Sequence, residues 1–375
     1  MKIGLLKEEL PERRVALLPE AVKTLTGMNV TVLVETDAGR NAFASDADYT
    51  AAGASIHARN EIFTSADFIL KIQPPNEKEL AMLKQGQCFL AVFNPLVNTM
   101  LVKELCDSKV TSFSLDILPR TTRAQAMDIL SSMATVSGYK AVLAAASNLS
   151  KFFPMFMTAA GTVTPAKVLI LGAGVAGLQA IATSRKLGAV VEVFDVRAAV
   201  KEEVTGLGGK FIDVEGATDD KAAGGYAVEQ TEEFKKRQAQ AIHDHAVKSD
   251  AVICTAQIPG RKAPLLLRKE TVEMMKPGAV IIDLAASTGG NCELTKDNET
   301  VIHGQVRIIG NSAFPAEMPS DASKMFGKNV INFLKLMISN KGEFNLNFED
   351  DLVKGTCVTH GGEIISERVK SIMNS

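Results

Sequence analysis

Tryptophan is absent from the 375-residue chain, and tyrosine occurs only three times. With 17 phenylalanines the aromatic stock is still too thin to suggest a base-stacking surface. Neither sign of charge is in excess. With 41 basic and 43 acidic side chains the formal net charge is −2, which gives no electrostatic footprint for nucleic acid, and no Lys/Arg cluster is long enough to read as a patch for lipid headgroups. The five cysteines (Cys88, Cys106, Cys254, Cys292, Cys357) never form a CxxC pair. A dispersed, odd count is expected of reduced core thiols in a cytosolic-type compartment, not of a disulfide framework or a metal site. No apolar run approaches the ~20 residues of a membrane span. The longest, Val168 to Ala182, is interrupted by Gly172, Gly174, Gly177 and Gln179. Direct membrane insertion is therefore not expected. Nor is a secretory leader, since Met1-Lys2-Ile3-Gly4 leads straight into a strand-like segment. No internal period of 20–50 residues marks a solenoid.

What is present is the composition of a globular protein, 46% apolar and 22% charged. Its length suits two or three domains. Short β-branched runs alternate with helical patterns, first at Lys2–Leu6, Asn29–Glu35, Phe68–Ile72, Cys88–Phe93 and Thr111–Ser114. A second series runs Lys167–Leu171, Val190–Asp195, Lys210–Asp213, Asp250–Thr255, Ala279–Asp283 and Val306–Ile309. Alternation of this kind predicts an α/β fold of two domains with mainly parallel sheets and a cleft between them. One long helix is expected from about Arg123 to Leu149, and another over Asp321–Asn340. If the latter packs back, residues 1–130 and 321–375 form a discontinuous N-terminal domain and 131–320 the second. Glu215–Gln230 has little periodicity and reads as a long loop.

The second series carries the strongest local signal. Lys167–Leu171 is an apolar strand. Gly172-Ala173-Gly174-Val175-Ala176-Gly177 follows at once, and helical spacing continues to Leu187. A lone GxGxxG is weak, but strand, turn and helix together give it meaning. Gly172 suits the tight turn, Gly174 a close pyrophosphate, and Gly177 close packing of the helix. The helix start favours the phosphate charge. Val190–Phe194 then ends in Asp195, where an acid accepts hydrogen bonds from the adenosine ribose. That carboxylate favours NAD(H) over NADP(H), although Arg197 could accommodate a 2′-phosphate. Candidate cofactor contacts are Gly172, Gly174, Val175, Ala176 and Gly177 in the turn, and Asp195, Val196 and Arg197 after the second strand.

The opening Lys7-Glu8 and Arg13-Arg14-Val15-Ala16-Leu17-Leu18-Pro19 resembles alanine dehydrogenase. That resemblance implies a substrate-carboxylate Arg at Arg14. It also implies a Lys where this chain has Gln73, two beyond Lys71, and a catalytic His where it has Asn94. Amino-acid oxidation moves protons as well as hydride and needs a matched acid or base. Without that His and Lys, an alanine-dehydrogenase-like activity is the runner-up.

Further segments resemble the NAD(H)-binding component of proton-translocating nicotinamide nucleotide transhydrogenase. They are Pro119-Arg120-Thr121-Thr122-Arg123-Ala124-Gln125-Ala126-Met127-Asp128-Ile129-Leu130-Ser131-Ser132, Phe153–Thr162, Gly177–Thr183, Asp195–Ala199, Gly224-Gly225-Tyr226, Ile258-Pro259-Gly260 and Gly289-Gly290-Asn291-Cys292. The resemblance implies an oxidoreductase, the separate first alpha polypeptide of such an enzyme. It would form a homodimer and bind NAD(H). It would exchange hydride with NADP(H) on a partner subunit, coupled to proton movement through membrane subunits. It would be cytoplasmic and held at the inner membrane only through those partners. By the same resemblance Arg120, Gln125, Asp128 and Ser131 surround the nicotinamide, and Gly225 and Tyr226 belong to a loop that closes over the nucleotide. Spacing alone reads Gln125, Asp128 and Ser131, three apart, as one polar side of a helix.

Overall fold

The computed structural model describes residues 1–216, 230–258 and 260–373. They divide into two compact units, Met1–Met133 with Pro315–Ser375, and Ala134–Phe314. The strands in chain order are β1 (Lys2–Leu5), β2 (Thr31–Glu35), β3 (Ser55–His57), β4 (Phe68–Leu70), β5 (Cys88–Ala91), β6 (Thr111–Ser114), β7 (Phe156–Thr158), β8 (Gly161–Val163) and β9 (Lys167–Leu171). They continue with β10 (Val190–Phe194), β11 (Lys210–Phe211), β12 (Ala251–Cys254), β13 (Val280–Asp283), β14 (Glu299–His303), β15 (Val306–Gly310), β16 (Cys357–His360) and β17 (Glu363–Ile364).

The first unit holds an eight-stranded sheet in the order β17-β16-β6-β5-β4-β1-β2-β3. Strands β1 to β6 run parallel, while β16 pairs antiparallel with β6 and with β17. The second unit holds a seven-stranded sheet, β11-β10-β9-β12-β13-β15-β14, antiparallel only at β14. The central strands β4, β5, β9, β12 and β13 are nearly continuous in apolar residues because both of their faces are covered. In β9, Val168 and Ile170 enter one core and Leu169 and Leu171 the other. Strand order reverses between β1 and β4 in the first unit and between β9 and β12 in the second. Those are the switch points outside whose C-terminal ends open α/β sheets bind ligands.

The expected single helix from Arg123 to Leu149 is instead two elements. A 3-10 helix, Thr122–Met127, precedes an α-helix, Ile129–Asn148, with Asp128 between them at ψ 93°. The reason is a cap. The Asp128 carboxylate accepts Ser131 N–H at 2.9 Å and Ser131 Oγ–H at 2.6 Å. An Asp whose side chain satisfies the orphan amides of a new helix start favours a break over continuation. Gln125, Asp128 and Ser131 therefore do not share one helical face.

The helix Ile129–Asn148 is long and apolar enough to cross a membrane by length and composition, a property that no uninterrupted apolar run signals. A third of that stretch is buried. Ala141, Val142 and Ala145 lie in the core of the second unit. A Cβ at Gly138 would come within 2.1 Å of the Ala176 carbonyl oxygen. The expected helix over Asp321–Asn340 spans Pro319–Leu334. The C-terminal segment supplies β16, paired with β6, and β17 at the edge of the sheet.

Candidate dinucleotide site

In the second unit β9 ends at Leu171, and Gly172 turns the chain with φ +102°, a region that disfavours side chains. The helix Val175–Lys186 starts after Gly174, which offers no side-chain cap. Its first amides are helix donors at the positive end of the macrodipole, and the residue before them supplies no side chain to cap them. It buries Gly177, Ala180, Ile181 and Ser184, one stripe at helical spacing. Gly177 is required by contact: a Cβ there would stand 2.0 Å from the Gly172 carbonyl oxygen. At Gly174 the opposite holds. Among the described residues nothing lies within 4 Å of its would-be Cβ. That open cradle beside an uncapped helix start fits a pyrophosphate.

Thr255, just past β12, closes the other side. Its hydroxyl donates to the Leu171 and Gly172 carbonyls at 3.2 and 3.1 Å. Asn291, fully buried, accepts Ala256 N–H at 3.0 Å and donates to the Ala256 and Pro264 carbonyls. The Asp283 carboxylate in turn accepts the Asn291 and Cys292 amides at 2.8 and 3.0 Å, and the Thr295 hydroxyl at 2.7 Å. Burial still raises the Asp283 carboxyl. Sequence reasoning quoted Asn291 only within a motif and missed Thr255 and Asp283. Their positions at the ends of β12 and β13 were the available signal.

Asp195 stands where expected, directly after β10, but its carboxylate is engaged. Oδ1 accepts Arg197 N–H and Nε–H at 2.8 and 2.9 Å, and Oδ2 accepts Arg197 Nη2–H and Ala173 N–H at 2.8 and 2.7 Å. All four lone-pair directions are used. A ribose hydroxyl reaches Asp195 by displacing one donor, and the guanidinium is the one on a flexible stem. Val196 lies between the two and packs on the core below. Gly225 and Tyr226 lie outside the described residues.

The switch point of the first unit gathers charge instead. Arg14 grips Glu12 with Nε and Nη2 at 2.8 and 2.6 Å. Gln73 Nε2 donates to the same Glu12 at 3.0 Å. Burial opposes the charge on Glu12, but Arg14 outweighs it and holds this carboxyl below the usual range. Glu8 accepts the Ile72 and Gln73 amides at 2.5 and 3.2 Å, yet burial pushes it up to about 7. Lys71 is buried on Glu79, at 2.7 Å. Asn94, at φ +46°, donates its amide to Asp116 at 2.8 Å. The five histidines bond elsewhere: His57 to Ser55 and Glu61, His243 to Thr271, His245 to Glu192, His303 to Glu273 and His360 to Thr111. Among the described residues no group of three or more His, Cys, Asp or Glu side chains could hold a metal ion.

Arg120 is exposed beyond β6, and Gln125 is exposed on the 3-10 helix Thr122–Met127. Asp128 and Ser131 are joined in the cap. These four lie on one stretch of the first unit, the eight glycine-turn and strand-end residues in the second.

A glycine turn at a switch point, an uncapped helix start and an acid ending the next strand define a Rossmann-type dinucleotide-binding protein. The family models "Alanine dehydrogenase/PNT, N-terminal domain" and "Alanine dehydrogenase/PNT, C-terminal domain" match residues 4–137 and 141–367. The chain is 46% identical to the first polypeptide of the NAD(P) transhydrogenase alpha subunit of Rhodospirillum rubrum, over 97% of this chain and 98% of that one. It is similar to the solved transhydrogenase structure from Sinorhizobium meliloti, with TM-score 0.89 and 41% identity over 97% of this chain and 100% of that one. An alanine dehydrogenase of Mycolicibacterium smegmatis is 28% identical over 96% of this chain and 92% of that one. The chain belongs to the alanine dehydrogenase/PNT family and, within it, to the NAD(P) transhydrogenase alpha subunits; alanine dehydrogenases stand further off.

Proposed function

We propose that this chain binds NAD(H) on the turn Gly172–Gly177 and passes hydride between it and NADP(H) held on a partner subunit. The observation that carries the reading is the open cradle at Gly174 beside the uncapped helix start, with Asp195 at the end of β10. The bound nicotinamide supplies the hydride donor or acceptor. The turn amides hold the pyrophosphate, and Asp195 takes the ribose once Arg197 swings aside. Arg120, Gln125, Asp128 and Ser131 orient the nicotinamide end. Hydride exchange between two nicotinamides needs no proton donor, only aim and exclusion of water. Gln73 and Asn94, where amino-acid oxidation would need a Lys and a His, are consistent with that. The membrane proton-channel subunits of the complex are the further partners, and they hold this chain at the cytoplasmic face of the inner membrane.

NADH should bind at least about tenfold tighter than NADPH in a fluorescence titration, since Asp195 repels a 2′-phosphate. Equal binding would mean that Arg197 dominates and would remove the cofactor assignment. Alanine with NAD+ should yield no NADH; its formation would revive amino-acid oxidation.

A homodimer is part of the same proposal. The hairpin β7–β8 is exposed throughout. Phe152, Met155 and Met157 beside and on it are 58%, 57% and 78% exposed. Phe152 also lines a recess of about 690 Å³ with Ala146, Leu149, Pro154 and Leu187, beside Lys151 and Lys186. An apolar patch of this kind marks an interaction surface. Met157→Asp should shift sedimentation from dimer to monomer; an unchanged dimer would place the interface elsewhere.

A further inference from the structure

The carbonyl of Ala126 receives two carboxamides. Asn329 and Asn332, three apart on the helix Pro319–Leu334, each donate Nδ2–H to it at 2.9 Å. The carbonyl is available because the backbone extends at Asp128, so no amide four residues on continues the helix. Asn329 is only 6% exposed, and its Oδ1 is buried without a hydrogen-bond partner. An apolar side chain would fill that site without the cost of an orphaned acceptor. What Asn329 gains there is the Ala126 carbonyl. On the other side of Gln125, Arg123 forks onto Asp350, with Nη1–Oδ2 at 2.9 Å and Nη2–Oδ1 at 2.6 Å. Arg123 is half exposed but Asp350 is largely covered, and Asp351 joins the fork, so this ion pair is a further hold on the same segment. Buried Asn329 and half-buried Asn332 hold the Ala126 carbonyl from one helix, with Gln125 one residue before it and the Asp128 cap two residues after.

We infer that Asn329 and Asn332 are positioning residues for hydride transfer: by pinning the Ala126 carbonyl they aim Gln125 and the Asp128–Ser131 pair. This rests on the transhydrogenase reading. A misplacement of about 1 Å can cost ~100-fold in rate, and losing one of two anchors should cost about tenfold.

The test uses the full chain with its NADP(H)-binding partner. Single-turnover transfer from NADH to partner-bound NADP+ is measured alongside NADH affinity and the thermal midpoint. Asn332→Ala, at the more exposed position, should slow transfer about tenfold while NADH affinity stays within about twofold. Asn332→Asp, of the same shape but without the donor, should do the same. Asn332→Gln, which keeps an amide, should recover most of the rate. The inference is overturned if Asn332→Ala and Asn332→Asp transfer at the unsubstituted rate. It is equally overturned if rate and affinity fall together and Gln restores neither, because that marks plain destabilisation. An unsubstituted chain that transfers no hydride to NADP+ would overturn the functional reading itself and the inference with it.

Discussion

Gly177→Ala is expected to lower the thermal midpoint by roughly 6–12 °C, whereas Gly174→Ala should leave it nearly unchanged and still abolish tight NADH binding. The two glycines are three residues apart in one motif, and the difference is contact. At Gly177 the added methyl would stand 2.0 Å from the Gly172 carbonyl oxygen and 3.2 Å from the Thr255 hydroxyl oxygen. Backbone against backbone cannot yield by a rotamer change, so the cost belongs near the top of the overpacking range, about 3 kcal/mol. At Gly174, φ is −74° and nothing described lies within 4 Å. Alanine is tolerated there by the fold. The methyl projects into the space that a pyrophosphate would fill, and affinity should fall at least about tenfold, or ~1.4 kcal/mol. Calorimetric melting and NADH titration of the two variants check both halves. A Gly174→Ala chain that binds NADH normally would move the pyrophosphate off this turn.

Arg120→Ala and Gln125→Asn should each slow hydride transfer by up to ~100-fold while NADH affinity changes less. The proposed pyrophosphate and ribose contacts, Gly172–Gly177 and Asp195, lie in the second unit, and the proposed aiming residues in a separate segment of the first. If binding and aiming are divided in that way, shortening an aiming side chain removes an interaction realised in the transfer step. Gln125 is the sharper probe, because it is exposed on the 3-10 helix. Single-turnover kinetics with the reconstituted partner separate transfer from binding. Intact transfer in both variants, or a defect lying wholly in NADH affinity, would contradict the assignment.

The glycine turn was legible because its glycines have no substitutes: positive φ at Gly172 and backbone contact at Gly177 leave the sequence no choice. The apolar strands were legible for a related reason, since a sheet covered on both faces admits few polar residues. The break at Asp128 was not. Three-residue spacing of Gln125, Asp128 and Ser131 looks helical, and the competing Asp-x-x-Ser cap lies inside the same letters. The engagement of Asp195 by Arg197 was half legible. Residues two apart in extended chain face the same side, but only the folded chain brings Ala173 N–H to the remaining direction. Strand β16 was illegible for want of its partner: Thr359 pairs with Ser112, 247 residues away. The Asn329–Ala126 and Asn332–Ala126 contacts span 203 and 206 residues and were hidden for the same reason.

The most direct test of the central claim follows the hydride itself. The chain is loaded with NADH deuterated at the transferring position, mixed in ordinary water with the partner subunit carrying NADP+, and the product is analysed by mass within one turnover. Direct transfer from this chain's nucleotide predicts NADPH that carries the deuterium. Unlabelled NADPH, or no NADPH at all, would contradict it.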